Sequence, residues 1–187
     1  MVLSLERGVS APAERAAARL AVEIRPARLA DLDALAALEQ AAFTTDRAER
    51  RAIRHAIRSP SMTLLVAIAQ ECSAGAGKRT GGGTEGPEIL VGAATLERRR
   101  TSRVARLSSL AVAPARAGAG LGRRLLLAAE ADARAHGCER LRLEVRADNG
   151  SGIRLYERGG YARTGTKPDY YEDGMEAWCY EKRLAES

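Results

Sequence analysis

The chain has 187 residues, 45% hydrophobic and 29% charged, an ordinary globular balance that suits one domain with a sizeable core. Lysine and arginine (30) outnumber aspartate and glutamate (24), a surplus that suits an anionic ligand, a nucleic acid or an acidic partner without choosing among them. No apolar run approaches the roughly 20 residues that span a bilayer, Met1–Leu5 is too short and too soon charged for a secretory signal, and Cys72, Cys138 and Cys179 match neither a metal spacing nor a disulfide framework. The expectation is a cytoplasmic protein with reduced thiols, no metal and no membrane partner.

Residues 1–20, rich in Ala, Arg and Glu, read as an extension or frayed helix ahead of a single domain over 21–187. Val22–Arg25 reads as a first strand. Asp31 is placed to cap a helix running to about Phe43, with Leu32, Leu35 and Leu38 on one face. A second helix is predicted over Asp46–Arg58, with Ile53 and Ile57 four apart, and Ser59–Pro60 stops it. Met62–Ala69 has the length and apolarity of a strand. Residues 71–87, dense in glycine, read as a flexible hairpin insertion, because no helix follows to make them a phosphate cradle.

Ile89–Leu96 and Val104–Val112 are the next two strands, joined by the arginine-rich turn around Arg98–Arg100. Leu107 and Leu110 stand three apart, so a regular strand cannot put both on one face. Either a bulge intervenes or the strand is buried on both sides. Leu121–His136 is a long helix closed by Gly137. Leu141, Leu143 and Val145 alternate with Arg142, Glu144 and Arg146 as a half-buried strand. Asn149–Arg158 forms a short fourth helix, and Tyr161–Thr166 and Glu176–Leu184 are late strands. Strands interspersed with helices predict an α/β fold with helices on the faces of one sheet.

The most informative stretch runs from Leu110 to Leu126: strand, turn, glycine-rich loop, helix. Gly118, Gly120 and Gly122 leave no Cβ between backbone and ligand. The first N–H groups of the helix lack internal partners and point out of its positive end, where they can donate to phosphate oxygens. Arg123 and Arg124 add charge beside them. A dinucleotide loop would follow the first strand of a βαβ unit, and a Walker loop would end in Gly-Lys-Ser/Thr; neither fits here. A plain tight turn stays open on this evidence alone.

With Ala117-Gly118-Ala119-Gly120-Leu121-Gly122 on the page, the sequence resembles the GNAT acetyltransferase superfamily, whose hallmark is Gln/Arg-x-x-Gly-x-Gly/Ala. The usual Gln or Arg is Ala117 here, with Arg116 one place earlier. Leu143–Asn149, Leu155-Tyr156-Glu157, Gly160-Tyr161 and Asp169–Gly174 are similar to the latter half of ribosomal-protein alanine N-acetyltransferases. The likeness covers about residues 22–184 and is strongest from 107 on.

The resemblance implies a mixed, mostly antiparallel sheet of six or seven strands with four helices on its faces, splayed between the fourth and fifth strands. It implies acetyl-CoA as cosubstrate and a primary amine as acceptor, foremost a protein or peptide N-terminus, with a small-molecule amine or a lysine as alternatives and a non-catalytic acyl-CoA-binding module as another. Nucleic acid is set aside, because the arginines are scattered and aromatic stacking groups are few. The state is monomer or homodimer.

The residues implied for the cofactor are Leu110, Ala111, Val112, Gly118, Ala119, Gly120, Leu121, Gly122, Arg123, Asn149 and Tyr156. Leu110–Val112 would pair with the pantetheine arm, and Val112 N–H would polarise the acyl carbonyl. Tyr156 is the implied general acid, with a packed tyrosine as the alternative. Glu144 is the implied base, directly or through water; its ordinary pKa near 4.3 is a poor match for an amine and would have to rise for direct work. An ion pair with Arg142 or Arg146 is its alternative. Tyr170-Tyr171 would flank the acceptor channel or form a surface hairpin. Gly152 and Gly159 would loosen the helix carrying Tyr156.

Overall fold

A computed structural model describes residues 21–43, 47–70 and 88–184. The readings made above for residues 1–20 and 71–87, for Cys72 and for Asp46 lie outside them.

Seven strands form one sheet: β1 (Ala21–Pro26), β2 (Met62–Gln70), β3 (Glu88–Arg98), β4 (Val104–Val112), β5 (Arg140–Arg146), β6 (Ala162–Lys167) and β7 (Ala177–Arg183). Four α-helices accompany them: α1 (Leu32–Ala42), α2 (Arg50–Arg58), α3 (Leu121–Ala135) and α4 (Gly150–Arg158). The strand order is β1-β2-β3-β4-β5-β7-β6. Every neighbouring pair is antiparallel except β4 and β5, which run parallel. The expected mixed, mostly antiparallel sheet is present.

Alternation along β2 explains the layering. Leu65, Ala67 and Ala69 point into one core, with α3, and Leu64, Val66 and Ile68 into the other, with α1 and α2. In α3, Leu121, Leu125, Ala129 and Ala133 recur every four residues and are all buried, the stripe that a helix lying on a sheet requires. On the opposite face Leu32, Leu35 and Leu38 of α1 are buried with Ile53 of α2, as the spacing predicts. No helix among the described residues is long and apolar enough to cross a membrane.

Two local differences from the sequence reading have plain causes. Asp31 does not cap α1 with its side chain. Its carboxylate accepts the Arg28 N–H at 2.6 Å and two bonds from the Arg25 guanidinium at 2.8 and 3.0 Å, closing a 3-10 turn instead. Helix α2 begins at Arg50 rather than at 46, after a stretch in which Ala48 N–H is bonded to the Glu39 side chain.

The β4 pairing settles the Leu107–Leu110 question. On β3, Thr95 pairs with Ser109 and Leu96 with Leu107, so Ser108 is an extra residue in β4. The bulge turns Leu107 and Leu110 to the same α3-side core, while Ala111 faces the α1–α2 core. Parallel pairing of β4 with β5 runs only from Val104↔Arg140 to Leu107↔Leu143. Beyond it both strands continue unpaired with each other, and the sheet opens between them as expected.

Candidate active site

The loop ahead of α3 is built from two kinds of glycine. Gly118 and Gly120 take φ of +78° and +76°, where a side chain is strained, and nothing lies within 4 Å of the Cβ either would carry. Gly122 is different: a Cβ there would meet Leu155 Cδ2 at 3.3 Å and Leu110 Cδ2 and Val112 Cγ2 at 3.9 Å. It lets the start of α3 sit against both the tip of β4 and α4. Arg124 N–H closes the first helical bond onto the Gly120 carbonyl at 3.1 Å. The N–H groups of Gly120, Leu121, Gly122 and Arg123 find no acceptor among the described residues, the usual state of a helix start. Of the two flanking arginines, Arg124 is tied to the Val22 carbonyl. Arg123 is exposed and makes no ion pair or hydrogen bond among the described residues.

Beside this loop lies the open seam. Ala113 N–H donates to the Val91 carbonyl at 2.9 Å. Counting back along the antiparallel ladder, the N–H and C=O groups of Leu110 and Val112 face away from β3, into the gap that β5 has left. A cavity of about 940 Å³ runs along the seam and under α1 and α2. Leu110, Glu144, Asn149 and Tyr156 all line it. Ala111, Val112 and the loop residues Gly118, Ala119, Gly120, Leu121, Gly122 and Arg123 do not; they belong to the adjoining side, where Gly122 meets Leu110 and Val112.

Tyr156 is presented by α4. Asn149 caps this helix, its Oδ1 accepting Gly152 N–H and the Ser151 hydroxyl, both at 2.9 Å. A Cβ at Gly152 would lie 2.9 Å from Asn149 Nδ2 and 3.1 Å from Val145 Cγ2. The glycine therefore tightens the cap against β5 rather than loosening the helix. Tyr156 is 8% exposed and meets Tyr161 edge-on, with ring centroids 5.9 Å apart. Its hydroxyl reaches the cavity and makes no hydrogen bond among the described residues. Burial, with Tyr171 adding a little, pushes its pKa well above that of a free phenol. The group is a proton donor at neutral pH.

Glu144 sits across the seam on the polar side of β5. Its partners are Arg106 Nε at 2.8 Å and Lys167 Nζ at 2.6 Å, not Arg142 or Arg146. Arg142 pairs with Glu181, and Arg146 with Asp148 and Asp173. Burial alone would raise the Glu144 carboxyl, but Lys167 and Arg106 together outweigh it and hold it below the usual carboxylate range. The raised pKa that direct base work requires is not present.

Tyr170 and Tyr171, between β6 and β7, both line the cavity, packed edge to face at 5.1 Å. Arg106 Nη2 donates to the Tyr170 hydroxyl at 2.7 Å, and Arg146 reaches Asp173 at 2.8 Å. The segment is thus moored to β4 and to β5, the two strands that part. The sequence reading missed Arg106 and Lys167, which reach Glu144 from β4 and from the end of β6, and also Glu39, whose buried carboxylate lines the cavity from α1. Glu39 left a signal: it stands four residues after Leu35 and seven after Leu32, a place the helical repeat reserves for an apolar side chain.

Comparison with known proteins gives the same direction. No curated protein matches the chain. Among solved structures, Ard1 from Thermoplasma volcanium is 25% identical with a TM-score of 0.72, covering 89% of this chain and 100% of its own. The ribosomal-protein-S18-alanine N-acetyltransferase from Escherichia coli is 22% identical with a TM-score of 0.70, covering 89% and 96%. Nourseothricin acetyltransferase is also 22% identical, with a TM-score of 0.65 and coverage of 88% and 99%. The Acetyltransferase (GNAT) family matches residues 33–161, well over half the chain. With a sheet parted beside a glycine-rich helix start and a family match over that whole region, the chain belongs to the GNAT family and is an acetyl-CoA-dependent N-acetyltransferase.

Proposed function

We propose that the acceptor is the α-amine of a protein or peptide N-terminus. The observation that supports the reading best is a convergence at one seam: unpaired backbone donors of the α3 start and the β4 tip on one side, and the unbonded Tyr156 hydroxyl on the other. When bound, acetyl-CoA supplies an acyl carbon for the amine to attack and a thiolate that leaves.

In this reading the N–H groups of Gly120, Leu121, Gly122 and Arg123 hold the diphosphate, Gly118 and Ala119 shape the loop, the Ala119 N–H being bonded to the Arg116 carbonyl, and the Arg123 side chain adds charge. The outward backbone groups of Leu110 and Val112 take the pantetheine arm as an added strand, and buried Ala111 anchors β4 between them. Val112 N–H donates to the acyl oxygen as negative charge develops there. Asn149, its Oδ1 already spent on the helix cap, keeps Nδ2 for the pantetheine amides. Tyr156, held protonated by its surroundings, delivers its proton to the departing sulfur. Glu144 stays ionised between Arg106 and Lys167 and orients the water that carries the amine proton away.

A weak proton-removing apparatus suits an α-amine. At pH 7 an amine with pKa near 8 is about one-tenth neutral, whereas a lysine near 10.4 is neutral in about one part in a few thousand. A small-molecule amine is the second reading, favoured by a cavity whose roughly 940 Å³ falls in the range of small-ligand sites. Incubation of a peptide and amine library with labelled acetyl-CoA, read by mass spectrometry, is expected to mark peptide α-amines. Labelling confined to small amines would replace the peptide reading. Tight CoA binding by calorimetry with no turnover on any pool would make the chain a CoA-binding module.

A further inference from the structure

Helix α1 ends in the wall of the cavity, and its last turn brings in Glu39, 9% exposed. Oε2 accepts the Ala48 N–H at 3.2 Å and Oε1 the Ser109 hydroxyl at 3.5 Å. No arginine, lysine or histidine among the described residues lies within ion-pair distance of it. Other sheltered carboxylates of this protein are treated differently. Asp31, Glu130, Glu144 and Glu181 each face at least one cation. A buried carboxylate without a counter-charge is costly, and burial indeed pushes the Glu39 carboxyl above its ordinary range, more than its two hydrogen bonds lower it. The cations nearest in the same cavity are engaged: Arg106 with Glu144, Glu97 and Tyr170, and Arg146 with Asp148 and Asp173. What this wall lacks is a compact positive group, and the cavity leaves room for one to enter.

We propose that Glu39 forms the subsite for the acceptor's ammonium group, its carboxylate accepting N–H bonds from the incoming –NH₃⁺. The inference rests on the reading of the cavity as the acceptor side of an acetyltransferase. Position supports it. Ser109, which holds Oε1, is next in the chain to Leu110, whose backbone opens onto the seam. An amine gathered at Glu39 therefore waits close to where the acyl carbon is to be presented. Charge-assisted bonds of this kind are among the stronger polar contacts, and they select a primary ammonium over neutral groups of similar size.

The direct test does not depend on turnover. Protein labelled with carboxyl-¹³C glutamate and saturated with CoA is titrated with n-butylammonium chloride, with sodium chloride as the control. The Glu39 resonance, assigned by its absence in Glu39→Gln, is expected to shift saturably with the ammonium and not with sodium. Ser109→Ala, which removes the one side-chain partner of Glu39 among the described residues, moves the same resonance and provides the assignment if the glutamine variant does not fold. With whichever amine the library returns, Glu39→Gln is expected to raise the acceptor KM about tenfold or more while the acetyl-CoA KM stays within about twofold, and Glu39→Asp to recover part of the loss. A Glu39 resonance indifferent to n-butylammonium overturns the proposal, whether or not acetylation is found. A saturable shift with no acetylation of any amine would instead remove the proposed function and leave the ammonium subsite standing.

Discussion

Two buried glutamates on opposite faces of the sheet are handled in opposite ways. Glu130, 2% exposed on α3, is neutralised: Lys182 Nζ lies 2.8 Å from both carboxylate oxygens and the Tyr161 hydroxyl donates at 3.1 Å. Glu39, almost as deep on α1, meets a backbone N–H and a serine hydroxyl and no cation among the described residues. The first network binds α3 to β7 and to the residue ahead of β6, and through the Tyr161 ring it steadies Tyr156. The second leaves a charge unanswered beside open space. The buried charge on α3 is thus matched within the fold, whereas the one on α1 faces the cavity with no cation beside it among the described residues.

The contrast can be broken most sharply at Tyr156. Tyr156→Phe is expected to lower kcat by about 10²- to 10⁴-fold with CoA affinity retained by calorimetry; an unchanged kcat would remove the phenol from the chemistry. Next comes Glu130→Ala, which strands the Lys182 charge and leaves the Tyr161 hydroxyl short of an acceptor. A loss of about 3–5 kcal/mol in urea denaturation is expected, and a loss near zero would erase the distinction between the two carboxylates. Gly120→Ala forces a side chain onto a φ of +76° in open surroundings, so its cost is backbone strain alone, about 1–2 kcal/mol, with CoA binding weakened as well.

The finest test uses pH. The Glu144 carboxyl lies below its unfolded value, so its pairing stabilises the fold at neutral pH, and that contribution fades as pH falls beneath the usual carboxylate range. Glu39 lies above its unfolded value, so its ionisation weakens the fold as pH rises from that range toward neutrality. Glu144→Gln should therefore lower Tm at pH 7, and Glu39→Gln should raise it slightly, with the gain vanishing in acid. Tm measured against pH for both variants checks the pair, and a fall in Tm for both at pH 7 would place Glu39 with the structural carboxylates.

Periodicity in the sequence carried most of the architecture. The Leu32-Leu35-Leu38 stripe, the α3 helix and the alternation over Leu141–Arg146 are local patterns, and each appears where the spacing puts it. The odd interval between Leu107 and Leu110 was enough to raise the bulge, though choosing it over a doubly buried strand required the β3 register. What stayed hidden was set by partners far apart in the chain. Glu144 is governed by Arg106, 38 residues earlier, and by Lys167, 23 residues later, while the reading looked to its neighbours Arg142 and Arg146. The two roles within the glycine loop were likewise invisible, because backbone angles separate Gly120 from Gly122 and composition does not.

Ser108 carries a consequence beyond its own strand. By adding one residue to β4 and none to β3, it exchanges inside for outside for everything that follows up to Val112. Strand β4 therefore obeys two reading frames, one that seats Ala105 and Leu107 over α3 and another that turns the Leu110 side chain back to the same core while aiming its main chain at the seam. Composition along β4 can be edited one side chain at a time with local effects. Length cannot: deleting Ser108 would keep the same side chains on each face but make the β3–β4 ladder regular, and so remove the bulge that stands where β4 stops pairing with β5.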